Sequence, residues 1–150
     1  MTAIKEQLYR KCQEFVNRKI DAAQGGIDEL QESANMETKS SVGDKYETNR
    51  AMIHIEREKY SAQLLESQKM QKVISQINPE KTDQKVELGS LVLTNVGNYY
   101  VCIAAGKVKL EGKDYFIISQ ASPIGQQLKG KKKGDTFNFN KRDFEVLDVL

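Results

Sequence analysis

The stretch ISQINPEKTDQKVELGSLV, residues 74–92, is where the chain changes its hydrophobic period. Before it, apolar residues recur every three or four positions. After it come short runs of β-branched and aromatic residues. Asn78-Pro79 closes the first regime, because proline pushes the residue before it out of the helical region. PEKTDQK, residues 79–85, then reads as a polar linker. The boundary divides the chain into 1–79 and 80–150.

Upstream, Ile4, Leu8, Cys12, Phe15, Val16, Ile20, Ala23, Ile27, Leu30 and Ala34 form a narrow stripe. Such a stripe is the signature of one long helix packing against another. A second helix is predicted from about Asp44 to Ile77. Its stripe runs through Met52, Ile55, Ala62 and Leu65, with Ile53, Tyr60, Leu64 and Ile74 beside it. Between the helices, ANMETKSSVGD (34–44) is rich in Ser, Asn and Thr and holds Gly43, so it reads as a turn. Two long helices joined by a short turn make an antiparallel coiled-coil hairpin, with its tip near 36–47. A helix of about 32 residues is roughly 48 Å long at 1.5 Å per residue. The hairpin is therefore expected to protrude from so small a core. Gly25-Gly26 interrupts the first helix, and each glycine costs a helix about 1 kcal/mol against alanine. A bend or local disorder is expected there.

Downstream, Val86–Thr94, Tyr99–Ala104, Tyr115–Ser119, Thr136–Phe139 and Phe144–Val149 carry the composition of strands. Gly97-Asn98 and Gly112-Lys113 are candidate hairpin turns. SPIGQQLKG, residues 122–130, predicts one short helix. Ser122 suits its N-cap, Pro123 its first position and Gly130 the residue just past its end. The fold class is thus α+β: a helical hairpin followed by a small antiparallel sheet with one short helix.

Composition narrows the function. Among the 150 residues 29% are charged, yet the net charge is only +2, without the basic excess that wrapping a phosphate backbone demands. No apolar run approaches the roughly 20 residues of a membrane helix. The first ten residues lack a signal-peptide core. The expected protein is cytoplasmic, with no membrane partner. Cys12 and Cys102 lie in segments of different type and read as two reduced thiols. His54, the single histidine, sits on a charged helix and reads as a surface or seam residue. The run KGKKKGD (129–135) is either a solvated turn or a positive rim for an acidic partner. No phosphate-cradling glycine loop and no Ser/His/Asp arrangement stands out.

One pair of side chains points to chemistry. In GDKYE, residues 43–47, Asp44 and Glu47 stand three apart at a helix start and share one face. The helix dipole there favours their ionised forms by about 0.3–1 kcal/mol each. The spacing also fits a capping box, with Asp44 as the cap. Capping and metal chemistry are both open on spacing alone.

VELGSLV (86–92), IISQASPIGQQLKGKKKGD (117–135) and FEVLDV (144–149), together with GDKYE, resemble the Gre-type bacterial transcript-cleavage factors. The chain resembles a divergent member: Thr48 stands where the family often has Asn, and Ala121 where it often has an acid or amide. The resemblance implies an N-terminal antiparallel coiled coil and a C-terminal FKBP-like β-domain. It implies docking of that domain on RNA polymerase at the rim of the secondary channel, near Ser122, Pro123, Ile124 and Gly125. It implies that Asp44 and Glu47 reach the polymerase active site and there help hold a weakly bound Mg²⁺ during cleavage of backtracked RNA. On this reading the chain is not an enzyme by itself and needs no cofactor when free. It meets the RNA 3′ end only through the polymerase, and it is a monomer. A non-catalytic regulator or inhibitor in the same channel is the alternative. A prolyl isomerase on the FKBP-like fold is the remoter one, since such a pocket needs aromatic walls.

Overall fold

A computed structural model describes residues 2–39 and 43–150, with the side chains of Thr2, 37–39 and 43–46 outside that description. Helix α1 is Thr2–Lys39 and helix α2 is Gly43–Ser75. The strands are β1 Leu91–Thr94, β2 Asn98–Cys102, β3 Gly106–Leu110, β4 Lys113–Ser119, β5 Thr136–Phe139 and β6 Arg142–Val149, and the short helix α3 is Pro123–Leu128. The chain is α+β. Among the described residues no helix is long and apolar enough to cross a membrane. Two compact units are present, Met1–Glu14 with Lys72–Leu150, and Phe15–Gln71.

In the unit Phe15–Gln71 the two helices run antiparallel: Gly26 faces Tyr60, and Arg57 donates a hydrogen bond to Gln31 Oε1. From α1 the seam buries Val16 and Ala23 fully and Ile20, Ile27 and Leu30 in part, as their spacing predicts. On α2 the seam differs from the expected stripe. Asn49, Ile53, Arg57, Tyr60, Leu64, Ser67 and Met70 are covered positions, whereas Met52, Ile55 and Leu65 are 61%, 63% and 54% exposed. A polar Ser67 is tolerated in the seam because its Oγ donates to the Gln63 carbonyl at 2.8 Å, which satisfies it within its own helix.

Gly25-Gly26 does not break α1, which is continuous through both. The pair instead has a packing role. A Cβ on Gly26 would lie 2.7 Å from the Tyr60 ring, while one on Gly25 would meet nothing within 4 Å. Gly26 is the hole and Tyr60 the knob.

The other unit is built on a six-stranded sheet in the order β3-β4-β2-β1-β6-β5. The antiparallel sheet expected from the sequence needs one correction: β2 and β4 are parallel, with Tyr100 beside Ile117. This follows from β3, which the sequence reading did not anticipate. β3 returns from β2 as an outer strand, and the chain then turns at Glu111-Gly112 (φ 51° and 79°) into β4, which lies against β2. The turn thus falls one residue before the expected Gly112-Lys113.

Side chains alternate across β2, so the sheet is covered on both faces. Val101 points to one face, where Val86, Val92, Leu128, Val146 and Val149 close a core beneath α3. Tyr100 and Cys102 point to the other, where Cys12 and Tyr9 of α1 meet them. There Lys5 is 1% exposed. Its Nζ donates to the Lys81 carbonyl at 2.5 Å, and the buried Asp83 carboxylate lies near enough to offset part of its charge. Asp83 in turn accepts from Ser90 Oγ at 2.8 Å. The polar linker of the sequence is therefore pinned to the first turns of α1.

Candidate functional site

The acidic helix start comes first. α2 begins at Gly43, one residue before the expected start, so Asp44 lies inside its first turn. A capping bond from the Asp44 side chain lies outside the described residues, as do Ser40–Val42 of the expected tip. Glu47 is exposed. On a helical backbone these two positions are neighbours about 5–6 Å apart between Cβ atoms. Among the described residues no three His, Cys, Asp or Glu side chains gather where they could hold a metal ion. His54 pairs with Glu58 at 3.2 Å on the exposed side of α2, as a surface histidine would.

The second candidate is the turn into α3. Ser122 has extended backbone (φ −64°, ψ 155°). Its Oγ accepts from the Gly125 amide at 3.1 Å and donates to the Ser119 carbonyl at 2.7 Å. Pro123 occupies the first helical position, where no backbone donor is needed. Gly125 is obligatory: a Cβ there would sit 2.2 Å from the Ser119 carbonyl oxygen. After α3, Gly130 takes φ 76° and its amide donates to the Val86 carbonyl at 2.9 Å. The lysine run is an ordered turn, since Asp135 Oδ2 accepts from the Lys132 amide at 2.8 Å. Lys131 Nζ lies 5.8 Å from the Phe137 ring centre.

Ile124 does more than extend the helix. It forms one wall of a shallow cleft of about 420 Å³, completed by Val96, Tyr99, Phe139, Asn140, Arg142 and Phe144. Tyr99 stacks on Phe116 at 5.5 Å between ring centres, and Phe144 stacks on Phe137 at 4.9 Å. These contacts fix the aromatic walls. Burial pushes the Tyr99 phenol above its ordinary range, and the Arg142 guanidinium partly opposes that shift. The sequence reading named Ser122, Pro123, Ile124 and Gly125, which the fold brings into one turn. It did not assemble Val96, Asn140 and Arg142 with them. They come from the β1–β2 turn, from the start of β6 and from the β5–β6 turn, where Asn140 and Lys141 both take positive φ (51° and 64°). An Asn at such a turn is the one signal that could have located it.

Cys12 and Cys102 are both buried and free. They hydrogen-bond to each other, and that bond together with burial pushes the Cys12 thiol far above its ordinary range. The Cys12 thiol is thus a protonated packing group rather than a nucleophile.

No protein-family model matches this chain, and no curated protein matches it.

Proposed function

We propose that the chain is a Gre-like transcription elongation factor that binds RNA polymerase and stimulates cleavage of backtracked RNA. The observation that carries the reading is the carboxylate pair, Asp44 and Glu47, one turn apart at the start of α2. The turn Ser122–Gly125 with its adjoining aromatic cleft supports it, as a docking surface on the other unit.

The chemistry is limited to what these residues can do. Two carboxylates are hard oxygen donors of the kind Mg²⁺ takes, and that ion usually accepts only one or two of them. Asp44 and Glu47 therefore fit part of such a site, with the remaining ligands supplied by the polymerase. When bound there, the ion would stabilise charge on the oxygens of an in-line phosphodiester hydrolysis. Glu47, exposed, is free to orient an attacking water. Ile124, Tyr99 and Phe144 offer an apolar seat, and Arg142 a positive rim, to a polymerase segment.

The test uses halted, backtracked elongation complexes. Wild-type protein is expected to release short 3′ RNA fragments, and Asp44→Asn with Glu47→Gln to release none above background. Equal release by the double variant would sink the mechanism. Polymerase inhibition without fragments would favour the non-catalytic regulator instead.

A further inference from the structure

The cleft beside Ile124 holds a charge that the chain does not neutralise. Ile124, Phe139 and Phe144 supply apolar walls, while Tyr99, Asn140 and Arg142 supply hydrogen-bond donors. Among the described residues no carboxylate lines the cleft, and none pairs with the exposed Arg142. Asp143 follows it in sequence but is engaged elsewhere, with its Oδ1 accepting from Asn138 Nδ2 at 2.9 Å. Strand alternation puts Arg142 and Phe144 on one side of β6 and Asp143 on the other. The backbone fixes Arg142 at the rim: it pairs with Phe139 across the two-residue turn Asn140-Lys141, whose positive φ angles are those of a tight hairpin. The aromatic faces are already taken. Phe144 is 4% exposed and stacks on Phe137, and Tyr99 stacks on Phe116. A nucleobase needs an open ring to stack on, whereas an aliphatic side chain does not.

We propose that the cleft takes a segment of its protein partner in which an aliphatic side chain is followed by a carboxylate, and that Arg142 is the residue that sets this selection. The aliphatic group packs against Ile124, Tyr99 and Phe144, and the carboxylate accepts from the guanidinium. A guanidinium fork meets a carboxylate with two parallel charge-assisted hydrogen bonds, which a side-chain amide cannot match. Apolar walls beside the rim lower the local dielectric and strengthen that bond over one in open water. At about 420 Å³ the cleft has the size of a site for a few side chains. The inference rests on the docking role proposed for this cleft and adds the chemistry of what docks there.

Nuclear magnetic resonance titration of the full, isotope-labelled chain tests it with two probes, acetyl-Gly-Leu-Asp-Gly-amide and acetyl-Gly-Leu-Asn-Gly-amide. The Asp peptide is expected to shift the resonances of Tyr99, Ile124 and Arg142. It is expected to bind about fivefold tighter than the Asn peptide, the gain of a charge-assisted hydrogen bond at an exposed rim. Arg142→Gln should erase that preference and leave the Asn peptide's affinity unchanged. Ile124→Ala should weaken both peptides. Because Ile124 is half-buried, the exposed Arg142 variant carries the test if the other fails to fold. Equal affinities in the wild type, a preference that survives Arg142→Gln, or no shift in the cleft up to about 10 mM peptide overturns the proposal. Tighter binding of oligothymidylate at the same residues overturns it too, in favour of a nucleic-acid site. Core RNA polymerase is assayed separately. Selective peptide binding by a chain that does not bind polymerase sustains this inference and overturns the docking role. Polymerase binding with no preference between the peptides overturns this inference alone.

Discussion

Replacing Gly25 with alanine is expected to stabilise the helical unit by about 0.5–1 kcal/mol, the helix propensity of alanine over glycine. Nothing lies within 4 Å of the new methyl, so no packing term opposes the gain. Gly26→Ala has the same propensity advantage and the opposite outcome. Its methyl lands 2.7 Å from the Tyr60 ring, well inside contact distance. The ring must shift by about an ångström, and overpacking of this kind costs about 1–3 kcal/mol. The net effect of Gly26→Ala is a loss of up to about 2 kcal/mol. Urea unfolding followed by far-UV circular dichroism reads both variants. With a slope of about 1–3 kcal/mol per molar, the Gly25→Ala midpoint rises by a few tenths molar and the Gly26→Ala midpoint falls. Adding Tyr60→Ala to Gly26→Ala removes the clash, so the cost of the second glycine replacement disappears in that background. Equal stabilisation by both alanines would refute the knob-and-hole account of Gly26.

Three further outcomes are expected. Ser122→Ala removes the N-cap of α3 and should cost about 1 kcal/mol, read as a lower melting temperature, with Ser122→Asp recovering most of the loss. Gly125→Ala should cost about 3 kcal/mol, the upper end of overpacking, because the atom it strikes is a backbone carbonyl oxygen that cannot rotate away; nuclear magnetic resonance would show the shift changes centred on α3 and β4. Lys5→Met tests the buried ammonium. Burial, opposed by the Asp83 carboxylate, holds the Lys5 pKa below its ordinary 10.5. The unfolded chain therefore binds the proton more tightly, so wild-type stability gains on Lys5→Met as pH climbs toward 10.5. Denaturant unfolding at stepped pH measures that difference, and a flat difference would mean that Lys5 is not desolvated.

The parts of the fold that were legible in the sequence are those with local causes. Ser122, Pro123 and Gly130 mark α3 because capping and positive φ are decided within a few residues. Val, Ile, Phe and Tyr mark five of the six strands. β3 was missed because GKVKL is an outer strand whose exposed lysines dilute its β character. The α2 seam was misplaced because Arg57 and Ser67 occupy covered positions while Met52, Ile55 and Leu65 do not. Periodicity reports an apolar stripe and not which neighbour covers it. At the candidate sites, the spacing of Asp44 and Glu47 survives because a helix preserves it. The cleft beside Ile124 was invisible because Val96, Tyr99, Phe139 and Arg142 meet only through the sheet order.

That sheet order has a consequence for synthesis. β6 follows every other strand in sequence, yet it pairs with β1 on one side and β5 on the other. β1 meets it across more than fifty residues, with Val92 beside Val149. While the chain is emerging from a ribosome, both long helices are made before any strand exists. The sheet cannot close until the last lane is available, and such distant pairing is slow to form. Cys12 and Lys5 of α1 must therefore wait, uncovered, for Cys102 and Lys81, which are translated much later. The nascent chain is helical first and folds its sheet last, a window in which a chaperone would find the apolar first turns of α1 exposed.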